Sequence, residues 1–148
     1  MNDFRDLILS LNKFEVRYLI IGGYAVGLHY DPRTTKDLDV FVATGPEDGR
    51  RILAALKDFG APLTGIDETL FSTQKKQWFQ MGRPPFRIDI LQSIEGKEFE
   101  VAWANRIEGE MFGVPVYVIS RQDLIDNKTA TGRPTDRKDV KNLKKVKD

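Results

Sequence analysis

Val16-Arg-Tyr-Leu-Ile-Ile-Gly22-Gly23-Tyr-Ala-Val-Gly-Leu-His29-Tyr-Asp-Pro-Arg33-Thr-Thr-Lys-Asp37-Leu-Asp39-Val-Phe-Val42 changes its period repeatedly within one short stretch. Val16 to Ile21 is apolar and β-rich, which predicts a strand, and it runs straight into a glycine pair. The compact apolar run Tyr24 to His29 then reads as a short helix. Asp31-Pro32 ends that helix, because the residue before a proline is pushed out of the helical region. Arg33-Thr-Thr-Lys36 is a polar loop, and Asp37 to Val42 alternates with period two, the mark of a second strand. Strand, glycine turn, helix, loop and strand follow one another with no spacer.

Working outward, Phe4, Leu7, Ile8 and Leu11 recur at helical spacing before this unit. After it, Gly45-Pro46-Glu47-Asp48 opens a helix carrying Ile52, Leu53 and Leu56, closed by Gly60. Thr73 to Met81 and Phe86 to Leu91 are expected strands joined as a hairpin by Gly82-Arg83-Pro84-Pro85. Glu95 to Ala104 reads as a helix. Met111 to Val118 reads as an edge strand, since it contains Pro115. Ser120-Arg-Gln-Asp123 starts a helix that stops at Gly132-Arg133-Pro134, and Asp136 to Val146 supplies the last one. The expected class is α/β (α+β): one domain over residues 1–148, with helices packed on one mixed β-sheet.

Composition narrows the chemistry. The 23 basic and 22 acidic side chains leave a net charge of +1, so no global field draws the chain to nucleic acid or acidic lipid. With no cysteine and a single histidine, thiolate nucleophiles, disulfides and Cys/His zinc sites are excluded, and any metal must have oxygen ligands. No signal peptide or membrane span is read, so a cytoplasmic protein without a membrane partner is the expectation. The basic run Lys141 to Lys147 reads as a solvated end.

Within a strand, residues two apart share a face with about 6.6 Å between their Cα atoms, so Asp37 and Asp39 face one side while Leu38, Val40 and Val42 face the other. Phe86-Arg-Ile-Asp89-Ile-Leu91 repeats the pattern, with Asp89 opposite Ile88 and Ile90. Three carboxylates on one surface repel one another, and hard divalent cations relieve that repulsion. Two Mg2+ ions roughly 3.5–4 Å apart would clamp the attacking and leaving oxygens of an in-line phosphoryl displacement. Gly22 and Gly23 suit a turn where backbone approaches phosphate at a helix N-terminus. The rival ionic reading, a calcium EF-hand loop, fails because Phe41 occupies a ligand position and no glycine follows it. Neither Gly-x-x-x-x-Gly-Lys-Ser/Thr nor Gly-x-Gly-x-x-Gly is present.

Gly22-Gly23, Asp37-Leu-Asp39-Val and Ile88-Asp89-Ile90 together resemble the signature of the polymerase-β-like nucleotidyltransferase superfamily. That resemblance implies a nucleoside triphosphate as substrate, held at the glycine pair, with Asp37, Asp39 and Asp89 as catalytic residues that bind two magnesium ions. Lys128-Thr-Ala-Thr-Gly-Arg133-Pro-Thr-Asp136-Arg-Lys-Asp139 is similar to the lysine, arginine and paired-aspartate motifs of the abortive-infection nucleotidyltransferase toxins. Lys128 and Arg133 thereby become nucleotide-binding candidates, with Arg33 beside them from its place before Asp37, and Asp136 and Asp139 are lower-grade ones that can pair with these cations. Length and the Gly22-to-Asp39 segment also resemble the small lincosamide-modifying nucleotidyltransferases. The expected reaction moves a nucleoside monophosphate to a hydroxyl of a small molecule, protein or RNA, with a homodimer as one way to complete the cleft. The competing reading is a non-catalytic nucleotide-binding regulator or toxin-antitoxin component. His29 reads as a half-buried helix residue, and Tyr24, Trp78 and Phe79 as aromatics available for base stacking.

Overall fold

The computed structural model describes residues 2–33, 35–66, 69–73 and 78–146. Thr34 of the polar loop, residues 74–77 of the expected third strand and Lys147 of the basic end lie outside this set. Helix α1 (Asn2–Lys13) leads into β1 (Tyr18–Ile21), α2 (Gly22–His29) and β2 (Asp37–Val42). Helix α3 (Pro46–Phe59) precedes the pair β3 (Trp78–Met81) and β4 (Arg87–Leu91). Then come α4 (Phe99–Ala104), β5 (Ile107–Met111), β6 (Val114–Val118), α5 (Arg121–Thr131) and α6 (Pro134–Leu143).

The six strands form one mixed sheet in the order β3-β4-β2-β1-β6-β5. Strand β2 runs antiparallel to β1 and parallel to β4, while β3 is antiparallel to β4. Even-numbered residues of the central strands, Leu38, Val40, Val42, Ile88 and Ile90, are fully buried. They join one core with Phe4, Leu7, Ile8 and Leu11 of α1 and Ile52, Ala55 and Leu56 of α3. The predicted α1 stripe is therefore a core stripe, and burial of this kind, worth about 1.5–3 kcal/mol per large aliphatic side chain, outweighs the modest helix propensity of the segment. Asp58 of α3 ties the two helices by accepting from Ser10 Oγ (2.9 Å) and Lys13 Nζ (2.9 Å). Ser120 caps α5 as its sequence suggests, its Oγ accepting from the Asp123 backbone N–H at 3.1 Å. No helix among the described residues is long and apolar enough to cross a membrane.

Two sequence expectations need correction. Met111 to Val118 is not one edge strand: Phe112 (φ 54) and Gly113 (φ 75) turn the chain, and β5 and β6 pair as a hairpin. Left-handed conformation at both turn positions is the geometry that a two-residue hairpin demands, and an apolar run hides it. Pro115 thus lies in β6, inside the sheet, with β5 as the edge. The proline is tolerated because β6 meets β1 at its far end, Ile20 opposite Val118. The second correction is that the helix expected from Glu95 begins only at Phe99, because Ile94 and Lys97 close a bridged turn first.

Candidate active site

Strand register puts the acidic residues in place. Asp39 is the cross-strand partner of Asp89, Ile21 flanks Asp39 on β1, and Gln80 flanks Asp89 on β3. Paired residues share a face, so Ile21, Asp39, Asp89 and Gln80 make one row across four strands. The next row on that face is Phe41, Leu91 and Trp78, and Asp37 lies in the row on the other side, opposite Arg87. Gln80 Nε2 donates to Asp89 Oδ1 at 2.9 Å, fixing that carboxylate from the sheet's edge.

Among the described residues, no cation makes a direct contact that balances the charge of Asp39 or Asp89. Asp39 is pushed from its ordinary 3.8 up to about 7 by burial first, then by the charges of Asp89 and Asp37, against a smaller opposing pull from Lys128. Asp37 shares the face but is solvent-exposed. Among the described residues, no three acidic or histidine side chains are already arranged as a metal cage.

Gly22 opens α2 directly at the end of β1, with φ +68. A Cβ there would overlap Asp39 Oδ2, so the helix start and the carboxylate occupy space that only glycine leaves open. Gly23 is different, since its Cβ would stand an ordinary 3.4 Å from Thr35. Gly22→Ala is therefore expected to lower stability by roughly 1–3 kcal/mol, while Gly23→Ala stays within about 0.5 kcal/mol of wild type. Thermal melts of the two variants check this, and equal melting temperatures would refute the crowding at Gly22.

Opposite the sheet, five of the sequence-predicted residues form one ion-pair network. Lys128 is buried and reaches Asp136 at 3.2 Å and Asp139 at 3.0 Å. Arg33 closes on Asp139 through both guanidinium nitrogens (2.9 and 3.2 Å), and Arg133 Nε donates to Asp136 at 2.7 Å. Thr131 Oγ1 adds a 2.7 Å bond to Asp136, which also accepts from the Arg133 backbone N–H. Burial opposes ionisation of Asp136, but Arg133, Thr131 and Lys128 outweigh it and hold the carboxyl well below the usual range. Asp139 is lowered likewise, with burial again opposed by Arg33 and Lys128.

A cavity of about 620 Å3 separates the two groups, lined by Gly22, Asp39 and Asp89 on the sheet side and by Lys128, Thr131 and Arg133 on the helix side. Asp37, Gly23 and Arg33 fall outside that lining. His29 also stays away, its Nε2 donating to the Ile119 carbonyl at 2.7 Å, in keeping with its reading as a half-buried helix residue. The third wall, residues 92–98, carries no motif and is absent from the sequence-derived site. It is fastened to α5: Lys97 reaches Asp123 (3.2 Å) and Asp126 (3.0 Å), and Asn127 Nδ2 donates to Glu95 O at 2.8 Å. Gly96 (φ +77) packs so closely that a Cβ would come within 2.8 Å of Ala130 Cβ. The only advance signal was that glycine after a strand.

A mixed sheet with paired aspartates on neighbouring parallel strands and a glycine helix start at their side defines a nucleotidyltransferase of the polymerase-β-like fold. Solved structures share this architecture. A lincomycin-bound lincosamide antibiotic adenylyltransferase superposes with a TM-score of 0.58 at 15% identity, over 99% of this chain and 98% of that one. A putative nucleotidyltransferase from Thermotoga maritima gives 0.56 at 17%, over 96% and 88%. The ANT(2")-Ia structure in complex with adenylyl-2"-tobramycin gives 0.56 at 16%, over 95% and 84%. The chain belongs to the family described as nucleotidyltransferase of unknown function (DUF6036), whose profile matches residues 2–147. No curated protein shows significant sequence similarity to it.

Proposed function

We propose that the chain transfers a nucleoside monophosphate from a nucleoside triphosphate to a hydroxyl acceptor, with Asp37, Asp39 and Asp89 holding two Mg2+ ions. The observation that carries this reading is the division of the five site carboxylates. Asp136 and Asp139 are already paired with Lys128, Arg33 and Arg133, whereas among the described residues no cation contacts Asp39 or Asp89, and Asp39 is resisting ionisation. An all-oxygen donor set with surplus negative charge, with the Asp39 carboxylate packed against the Gly22 backbone, fits hard divalent cations. When bound, magnesium supplies charge neutralisation for the triphosphate and for the developing charge at the reacting phosphorus.

The protein's own groups divide the remaining work. Free N–H groups at the start of α2, at Gly22 and Gly23, face phosphate oxygens. Lys128 and Arg133 face the same phosphates from across the cavity, and Asp136 and Asp139 position them. Arg33 acts one step back, through Asp139, rather than on the nucleotide itself. The acceptor hydroxyl oxygen bonds to the α-phosphorus, the bond from that phosphorus to the bridging oxygen breaks, and pyrophosphate leaves with the electron pair. Asp89, oriented by Gln80, takes the hydroxyl proton.

The test is magnesium-dependent triphosphate binding by calorimetry together with pyrophosphate release in the presence of a cell extract as acceptor source. Binding and release are both expected. Tight binding with no release from any of the four triphosphates would leave a nucleotide-binding regulator and end the transfer reading.

A further inference from the structure

The phosphate-binding groups of the proposed reading all lie on one side of the carboxylate row. Gly22 adjoins Asp39 from β1, and Lys128 and Arg133, carried by helices α5 and α6 that contact α2, exert their charge on Asp39. In-line displacement puts the entering oxygen opposite the leaving pyrophosphate, so the acceptor comes from the Asp89 side, over β4 and β3. What that side presents is therefore the acceptor's complement.

On the carboxylate face of β4, Arg87, Asp89 and Leu91 follow one another at spacings of about 6.6 Å. Arg87 is exposed and makes no ion pair among the described residues. Leu91 pairs across the sheet with Trp78, which is 63% exposed although both residues line the same cavity as Asp39 and Lys128. A large aromatic left in water next to a polar site is the unusual observation, because such rings normally bury most of their area. Along this line a fixed positive charge, a proton acceptor and a flat aromatic face succeed one another.

We infer that the acceptor is a nucleotide unit, whose phosphate meets Arg87, whose ribose hydroxyl lies over Asp89 and whose base stacks on Trp78. This inference rests on the proposed transfer reading and gives it a substrate class. A ribose hydroxyl is the one group of a nucleotide that stands between an anion and a planar ring at this spacing. Base–aromatic stacking contributes similarly for every base, so Trp78 selects a nucleotide without selecting a sequence. The same chemistry is offered by a free nucleoside monophosphate and by the 3′ end of a single-stranded RNA.

The experiment supplies α-labelled triphosphates and magnesium with four acceptors: a nucleoside monophosphate, a short RNA with a free 3′-hydroxyl, the same RNA with its terminal diol oxidised, and an unphosphorylated nucleoside. Label is expected on the monophosphate or on the intact RNA, which separates the two sources, at least tenfold less on the nucleoside, and none on the oxidised RNA. Trp78→Ala and Arg87→Ala are each expected to raise acceptor KM tenfold or more with triphosphate affinity unchanged. Trp78→Phe and Arg87→Lys should recover most of that loss. The inference is overturned if label goes only to phosphate-free molecules of a cell extract, or if Trp78→Ala weakens triphosphate binding, which would put the donor base on this ring. Triphosphate that fails to bind at all takes down the transfer reading and this inference together, whereas triphosphate bound and transferred to phosphate-free acceptors takes down this inference alone.

Discussion

Asp39→Asn is expected to lower transfer at least about a thousandfold while the metal-free protein melts at a higher temperature than wild type. The loss follows, on the proposed reading, from removing a metal-holding charge at the centre of the acidic row; a thousandfold is about 4 kcal/mol of transition-state stabilisation. The gain follows from the same charge. Asp39 titrates near 7 in the fold and near its ordinary 3.8 when unfolded. Between those values the folded chain holds the extra proton, so stability falls as pH rises through that window. An amide removes this penalty, worth roughly 1–2 kcal/mol once the coupling to Asp89 and partial solvation are discounted, or about 2–6 °C in a chain of this size. Thermal melts without metal should therefore show the variant above wild type at pH 8 and level with it near pH 4. Magnesium should raise the wild-type melting temperature more than that of the variant. A variant that melts lower than wild type at pH 8 would remove Asp39 from the role of an uncompensated carboxylate.

Lys128→Met is expected to have the largest effect on stability, a loss of about 3–5 kcal/mol, because it strips a shared cation from two buried carboxylates. The lower end of that range applies, since Asp136 keeps Arg133 and Thr131, and Asp139 keeps Arg33. Methionine preserves most of the side-chain volume, so the change reports charge rather than a cavity. The pH dependence has the opposite sign to that of Asp39. Asp136 and Asp139 titrate below their ordinary range in the fold, so their contribution is complete above about pH 4 and is lost as pH falls through the folded values. Urea melts from pH 7 down to pH 3 should show wild type losing stability on the acid side and Lys128→Met losing less. Equal acid slopes would mean that Lys128 does not set the ionisation of this pair.

Much of the architecture was legible because alternating strands and a glycine start leave local marks. Asp37 to Val42 could be bounded to the residue, since period-two alternation ends where Ala43 and the following turn begin. The partnership of Asp39 with Asp89 was not local. It depends on β2 and β4 becoming parallel neighbours across α3 and β3, and only the register makes two carboxylates of separate strands into one site. The sequence resemblance marked both residues without revealing that Asp37 is more exposed than they are. Arg33 was read as a phosphate ligand from its loop position, whereas its guanidinium fork lies against Asp139, more than a hundred residues away in the chain. Residues 92–98 left no mark because their contribution is shape: a turn whose fit against α5 depends on an absent Cβ. The β5–β6 hairpin was hidden for a similar reason, since Phe112 in a left-handed turn breaks the preference of its residue type.

The fastening of that turn to α5 bears on how the cavity meets its ligand. Lys97, Glu95 and Gly96 anchor the wall to the same helix that carries Lys128 and, through its C-terminal turn, leads to Arg133. On the proposed reading, the wall and the cations Lys128 and Arg133 are held by one helix, and the distance between them is set before a nucleotide arrives. The entropy of assembling that half of the cavity is then met during folding, which lessens what nucleotide binding has to supply. Any motion that accompanies turnover is left to the opposite side, where the short strand β3 forms the open margin of the sheet.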